Sequence, residues 1–245
     1  VAVIGAGVVG AAVAQELAKV GCTVWLLEKA DHTGGGVTSR NSGVIHAGIY
    51  YPPESLKAQS CVRGNQLLYE WCSKYKVAHR RVGKWIVGSK DEEGELLKIL
   101  ENGKASGATG LKISSNLKLE GVKASIGIYS PNSGIVDPHE ITDSLIEVAL
   151  EKDTTLLLNC ELLSAEKKTD GGFVLETTRG PLEADIVINA AGLYADHVAQ
   201  LFGVDQYKIY PWKGYYFKFR SRHSYKELIY PVKRKKDPGL GIHLT

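Results

Sequence analysis

Apolar residues run without interruption from Val1 to Ile4, with no polar alternation. That is the pattern of a parallel strand buried on both faces. The stretch VAVIGAGVVGAAVAQELAKVGCTVWLLEK reads as strand, tight turn, helix and strand, the second strand being Val24 to Leu27. A long amphipathic helix is predicted from Glu54 to Tyr75, where Ala58, Cys61, Val62, Leu68, Trp71 and Cys72 repeat near helical spacing. GKWIVG and the charged run after it read as a strand followed by a helix with a weak apolar face. Around Thr155 to Asn159 a further strand is expected, and LLSAEKK and FVLETT form a hairpin turned at Asp170-Gly171-Gly172. PLEADIVINAAG reads as an apolar strand running into small residues, with a helix starting near Tyr194. KGYYFKF and GLGIHLT are read as later strands.

Composition narrows the class. At 245 residues, 44% apolar and 23% charged, the chain has the balance of a globular protein with a substantial core. A net charge of +3 gives no argument for nucleic acid, and the basic run Lys233-Arg234-Lys235-Lys236 is read as a solvated loop. The scattered cysteines Cys22, Cys61, Cys72 and Cys160 lack metal-ligand spacing and are read as reduced, partly buried thiols. No apolar run reaches the roughly 20 residues needed to span a bilayer, and no targeting segment is visible. A cytoplasmic location is expected, with association at the inner-membrane surface as the alternative. The chain opens inside a strand, contains no methionine and stops in a strand-like run, so a C-terminally incomplete chain is expected.

Chemistry enters at the first turn. Gly5, Gly7 and Gly10 make G-x-G-x-x-G between a strand and a helix, and Glu28 ends the next strand, 18 residues after Gly10. The first glycine allows the turn and the second lets backbone approach a pyrophosphate. The third brings helix and strand close, and the helix presents its positive end to the phosphates. A carboxylate at Glu28 suits a ribose 2′-hydroxyl and disfavours a 2′-phosphate. The motif predicts dinucleotide binding without separating NAD from FAD. A nicotinamide enzyme usually continues with closely spaced βα units. This chain departs instead into Gly34-Gly35-Gly36 and then TSRNSGVIHAGIYYP, Thr38 to Pro52. A second small-residue strand end, Ala190-Ala191-Gly192, permits close approach by a ligand in the same crevice, which suits FAD better.

VIGAGVVG, SRNSGVIHAGIYYPPESLKA, SPNSGIVD, NAAGLYAD, KGYYF and GLGIHLT, in collinear order, resemble the FAD-dependent oxidoreductases of the D-amino-acid-oxidase-like superfamily, and within it the L-2-hydroxyglutarate dehydrogenase/oxidase branch. The resemblance implies an α/β fold. A Rossmann-like FAD-binding domain of glutathione-reductase-like, D-amino-acid-oxidase type would comprise residues 1–80 and 139–205. A second, mixed β-sheet substrate domain would comprise 81–138 and 206–245. It places Ser39, Arg40, Asn41 and Ser42 against the flavin pyrophosphate and ribitol. Lys29, Leu162, Ala191 and Gly192 are added as cofactor-binding residues. His46 is set near the flavin ring as the candidate catalytic base. Tyr50, Lys213, Tyr216, Tyr230 and His243 are candidate substrate contacts. The implied activity is oxidation of an L-2-hydroxy acid, with 2-hydroxyglutarate foremost, to the 2-oxo acid. Electrons would pass from FAD to a quinone, a carrier or oxygen. The alternatives are an amine or amino-acid oxidase or a glycerol-3-phosphate dehydrogenase of the same superfamily, and a non-catalytic dinucleotide-binding module.

Overall fold

The computed structural model describes residues 1–218, 220, 224–232 and 241–245. In chain order the strands are β1 (Ala2–Ile4), β2 (Val24–Leu27), β3 (Val44–Ile45), β4 (His79–Arg80), β5 (Lys84–Gly88), β6 (Lys112–Ser114) and β7 (Ile126–Ser130). They continue as β8 (Gly134–Val136), β9 (Thr154–Leu157), β10 (Leu162–Lys167), β11 (Phe173–Thr177), β12 (Gly180–Ala184), β13 (Val187–Asn189) and β14 (Leu228–Pro231). The helices are α1 (Val8–Lys19), α2 (Leu56–Tyr75), α3 (Glu93–Ala105), α4 (Pro138–Leu150) and α5 (Ala195–Gln200). Two compact units divide the chain: Val1–Asn41 with Pro138–Tyr216, and Ser42–Asp137 with Phe217–Thr245.

The first unit carries a parallel sheet in the order β13-β1-β2-β9. Ala2, Ile4 and Leu27 share one apolar cluster with Leu162, Leu175 and Ala184 of the antiparallel β10-β11-β12 sheet. Val3 is also fully buried, and by strand alternation it serves the opposite face. The unbroken apolar run of β1 follows from burial on both faces. α1 buries Gly10, Ala11, Ala14, Gln15 and Ala18 and packs on α4. The spacing selects one helical face, and the small side chains allow close approach. Enlarging Ala14, which is fully buried, would force that packing apart at about 1–3 kcal/mol. PLEADIVINAAG is not one strand: β12 edges the antiparallel sheet and β13 joins the parallel one.

The second unit contains the mixed sheet β14-β5-β7-β6 and the small sheet β3-β8-β4. Its core gathers Ala47, Ile49, Ile86, Leu96, Leu100, Ile126 and Ile128. α2 begins where the Ser55 hydroxyl accepts from Ala58 N at 3.2 Å and ends at Lys76, in the left-handed region at φ 57°. A capping box between Ser89 and Glu92 precedes α3. The compact units assign residues 42–80 to the second unit, whereas the expected domain boundary near residue 80 grouped them with the first. The physical reason is α2, whose Asn65 and Tyr69 both donate to Asn132 O in the turn between β7 and β8.

Residues 211–218 form no strand, and Trp212, Tyr215, Tyr216 and Phe217 are exposed. The aromatic run there finds no strand to pair with among the described residues. Of GLGIHLT, the described end contributes a single bridge, Leu244 to Ile229. The run Lys233 to Lys236 lies outside the described residues. No disulfide joins the four cysteines, and Cys72 and Cys160 are buried. Among the described residues, no helix is long and apolar enough to cross a membrane.

Candidate functional site

In the first unit the glycine turn is built by close approach. Gly5 sits at φ 103°, and a Cβ there would lie 2.6 Å from Ala190 O. A Cβ at Gly10 would collide with Gly5 O. The β1 end, the first turn of α1 and the Ala190-Ala191 end of β13 are thus in backbone contact. Gly7 caps α1 with no side-chain acceptor, and the first turn holds no acid to compete with an anion for its positive end. Thr38 Oγ1 accepts from Val8 N at 3.0 Å, tying the loop after β2 to that helix end.

Glu28 accepts from Ala6 N at 2.9 Å through Oε2 and from Ala30 N at 3.0 Å through Oε1. Each carboxylate oxygen has a second lone-pair site. Glu28 is therefore fixed at the β2 end and still able to accept from a ribose hydroxyl. Lys29 lies over the Tyr194 ring at 3.2 Å. Ser39 Oγ donates to Gly35 O and Gly36 O at 3.1 and 3.0 Å. Arg40 Nη1 donates to Gly35 O and to Gly36 O, and Asn41 Nδ2 to Val37 O and Thr38 O. These three side chains close their own loop on itself. Gly192, at φ 56°, opens the turn before α5, and Ala191 N donates to Asn189 Oδ1 at 3.2 Å. Leu162 is buried in the apolar cluster. Lys213 and Tyr216 are exposed. A glycine turn in contact with β13, a helix whose N-cap is itself a glycine and a fixed terminal carboxylate fit the adenosine diphosphate part of FAD.

The second unit holds Ser42, His46, Tyr50, Tyr230 and His243. Ser42 is half-buried. The stretch from His46 to Tyr51 is pinned by two asparagines on different helices. Asn65 Nδ2 on α2 donates to His46 O at 2.9 Å, and Asn102 Nδ2 on α3 donates to Ile49 O and Tyr51 O, both at 2.8 Å. Gly48, at φ 78°, lets the stretch lie against α2, where a Cβ would come 2.6 Å from Val62 Cγ2. Tyr230 is buried, and its ring stacks on His243 with centroids 4.2 Å apart.

One functional candidate was missed in the sequence. Lys84 of β5 is 1% exposed, and its ammonium lies 4.9 Å from the Tyr50 ring centre and 5.0 Å from that of Tyr230. Burial, then the Lys84 charge, then His243 hold His46 down to about 4, so its imidazole is neutral at physiological pH. Burial lowers Lys84 to about 8, opposed in part by Cys61. Tyr50 is pushed above the ordinary phenol range by burial and by Tyr230, and burial raises the Cys61 thiol. The second unit thus brings together His46, Tyr50, Lys84, Tyr230 and His243. This is a neutral base beside a desolvated cation and two phenols.

The whole chain, residues 1–245, matches the family described as FAD dependent oxidoreductase. It is 35% identical to a mitochondrial L-2-hydroxyglutarate dehydrogenase of Arabidopsis thaliana over 288 residues, covering 99% of this chain and 58% of that one. A glycerol 3-phosphate dehydrogenase of Caloramator mitchellensis is 34% identical over 224 residues, covering 89% of this chain and 46% of its own length. The chain therefore spans about half the length of these relatives. Among solved structures, the L-alpha-glycerophosphate oxidase of Mycoplasma pneumoniae with FAD bound superposes at a TM-score of 0.83 and 24% identity, covering 94% of this chain and 64% of that one. That likeness concerns the fold. With a family match over its full length, the chain belongs to the FAD-dependent oxidoreductases.

Proposed function

We propose that the whole protein oxidises an L-2-hydroxy acid, L-2-hydroxyglutarate foremost, to the 2-oxo acid. FAD, when bound, supplies a two-electron acceptor for the hydride leaving C2. Gly5, Gly7 and Gly10 would hold its pyrophosphate and Glu28 its ribose, with Ser39, Arg40, Asn41 and Ser42 along the cofactor and Lys29, Ala191 and Gly192 beside it. His46 accepts the hydroxyl proton. A secondary alcohol does not ionise freely at neutral pH, so loss of hydride from C2 needs a base in hydrogen-bond reach of that hydroxyl. Tyr50, Tyr230 and His243 line the substrate beside it, and Lys213 and Tyr216 are further candidates for contact.

The observation that carries the reading is the pinned, desolvated His46, neutral and unprotonated where an alcohol oxidase needs a base. The dehydrogenase relatives support the substrate class. The Caloramator relative supports a second reading, oxidation of glycerol 3-phosphate, in which the same base would serve a different alcohol. Electrons leave to a quinone, a carrier or oxygen, and the acceptor decides between a cytoplasmic site of action and one at the inner-membrane surface. Anaerobic addition of L-2-hydroxyglutarate, glycerol 3-phosphate and an amino acid to separate samples of full-length holoenzyme tests the choice. The flavin absorbance near 450 nm should bleach fastest with L-2-hydroxyglutarate. Bleaching by glycerol 3-phosphate alone would move the reading to the second alcohol, and bleaching by the amino acid alone would end both.

A further inference from the structure

β5 and its neighbours show why Lys84 is an unusual choice. Lys84 pairs with Leu228 of β14 and Ser130 of β7, and Ile86 pairs with Tyr230 and Ile128. Residues paired across neighbouring strands share a face. Lys84 therefore occupies the same inward file as Ile86, Ile128, Leu228 and Tyr230, in line with the core of the second unit. An apolar side chain would satisfy that position. The residue present is instead a cation with 1% exposure.

Its described surroundings supply no counter-charge. Among the described residues, no carboxylate comes within ion-pair distance of Lys84. The groups that face it are the rings of Tyr50 and Tyr230, the Cys61 thiol and the His46 imidazole. The phenol of Tyr50 and the thiol of Cys61 are both pushed towards their neutral forms by burial. Ser130, opposite Lys84 in the ladder, is fully buried with its hydroxyl engaged by Ser133. Two aromatic faces soften the cost of a buried ammonium without neutralising it. An isolated buried charge is retained against that cost where something else supplies the opposite sign.

We propose that Lys84 is the substrate-binding cation of this site, pairing with a carboxylate of the 2-hydroxy acid whose hydroxyl His46 deprotonates. The assignment of the ligand to a hydroxy acid rests on the function proposed above, while the need for an anion rests on the charge arrangement alone. Lys84 donates to the carboxylate, and Tyr50 and Tyr230 flank the ion pair and exclude water from it. The pairing also explains why the cation stands beside the base. Its charge helps keep His46 neutral before substrate enters, and the carboxylate offsets that charge once bound, so that His46 can take up the hydroxyl proton. Carboxylate affinity follows the charge of Lys84, so it declines as pH rises past about 8.

The test uses full-length holoenzyme and glutarate, a diacid with no hydroxyl to oxidise. Glutarate is titrated anaerobically against wild type, Lys84→Met and Lys84→Arg while the perturbation of the flavin spectrum is followed. Removing one partner of a buried ion pair should weaken glutarate by about 30-fold or more in Lys84→Met. Lys84→Arg should recover much of the loss, and the decline above pH 8 should be absent from Lys84→Met. If Lys84→Met does not retain flavin, Lys84→Gln, polar and of similar length, is read in its place. Equal glutarate affinity in wild type and the neutral variant overturns the proposal, even if L-2-hydroxyglutarate reduces both. If L-2-hydroxyglutarate fails to reduce wild type but glutarate still binds in a Lys84-dependent way, the anion site stands and the substrate reading falls.

Discussion

Replacing Lys84 by methionine should stabilise the protein while it removes anion binding. The ammonium is held at about 8 against an ordinary 10.5, a depression of about 2.5 units. At 1.36 kcal/mol per unit this corresponds to roughly 3 kcal/mol against the charged form in the fold. Methionine nearly conserves volume and carries no charge, so the gain at pH 7 should approach that figure. A lysine with a depressed folded pKa destabilises fully below that pKa, and the effect is gone above the unfolded value. The gap between variant and wild type should therefore close as pH rises from about 8 to 10.5. Urea unfolding of both proteins, saturated with FAD, at pH 7 and at pH 10 measures it. A variant less stable than wild type at pH 7, or a gap that ignores pH, would refute the reasoning and make Lys84 a structural residue.

Gly5→Ala places a methyl 2.6 Å from Ala190 O at a backbone φ of 103°, and should cost about 1–3 kcal/mol and empty the protein of flavin; denaturant midpoint and flavin content report both. Glu28→Ala removes the proposed ribose acceptor and leaves Ala6 N and Ala30 N without their partner, so FAD should bind about 10- to 150-fold more weakly with saturated turnover little changed. Fluorescence titration of apoprotein measures this, and unchanged affinity would remove Glu28 from the cofactor. Asn65→Ala loses donors to His46 O and Asn132 O, both at 2.9 Å, and should cost about 1–3 kcal/mol while slowing flavin reduction. An unchanged reduction rate would show that the asparagine holds the fold without positioning the base.

The glycine turn was legible because its determinants are local. Gly5, Gly10 and Glu28 lie within one βαβ unit, and each is required by contacts that the glycine spacing already implies. α4 was not read, although Ile141, Leu145, Ile146 and Ala149 give it a buried face, because it follows directly on the short strand β8 with only Asp137 between them. Lys84 escaped notice for a different reason. Strand β5 is packed on both faces, with Val87 and Trp85 joining one cluster and Ile86 another. Alternation, which would have marked a lysine in an inward file, was therefore invisible. The described part of KGYYFKF, residues 213–218, shows the opposite error: a run of aromatic residues is a local signal, whereas a strand needs a neighbour. The division at Asn41 and Ser42 was equally out of reach, since it depends on long-range bonds from α2 and α3 to the His46–Tyr51 stretch.

The central claim is that His46 is the base in an FAD-dependent alcohol oxidation, and the rate of flavin reduction in His46→Ala tests it most directly. Anaerobic stopped-flow mixing of full-length holoenzyme with saturating L-2-hydroxyglutarate, from pH 5 to pH 8, isolates the chemical step from reoxidation. With His46 held at about 4 by burial, Lys84 and His243 before substrate enters, the wild-type second-order rate at limiting substrate should stay level down to about pH 5. His46→Ala should be slower by about 10²–10⁴-fold with FAD still bound. Reduction of His46→Ala within a few-fold of wild type would contradict the account.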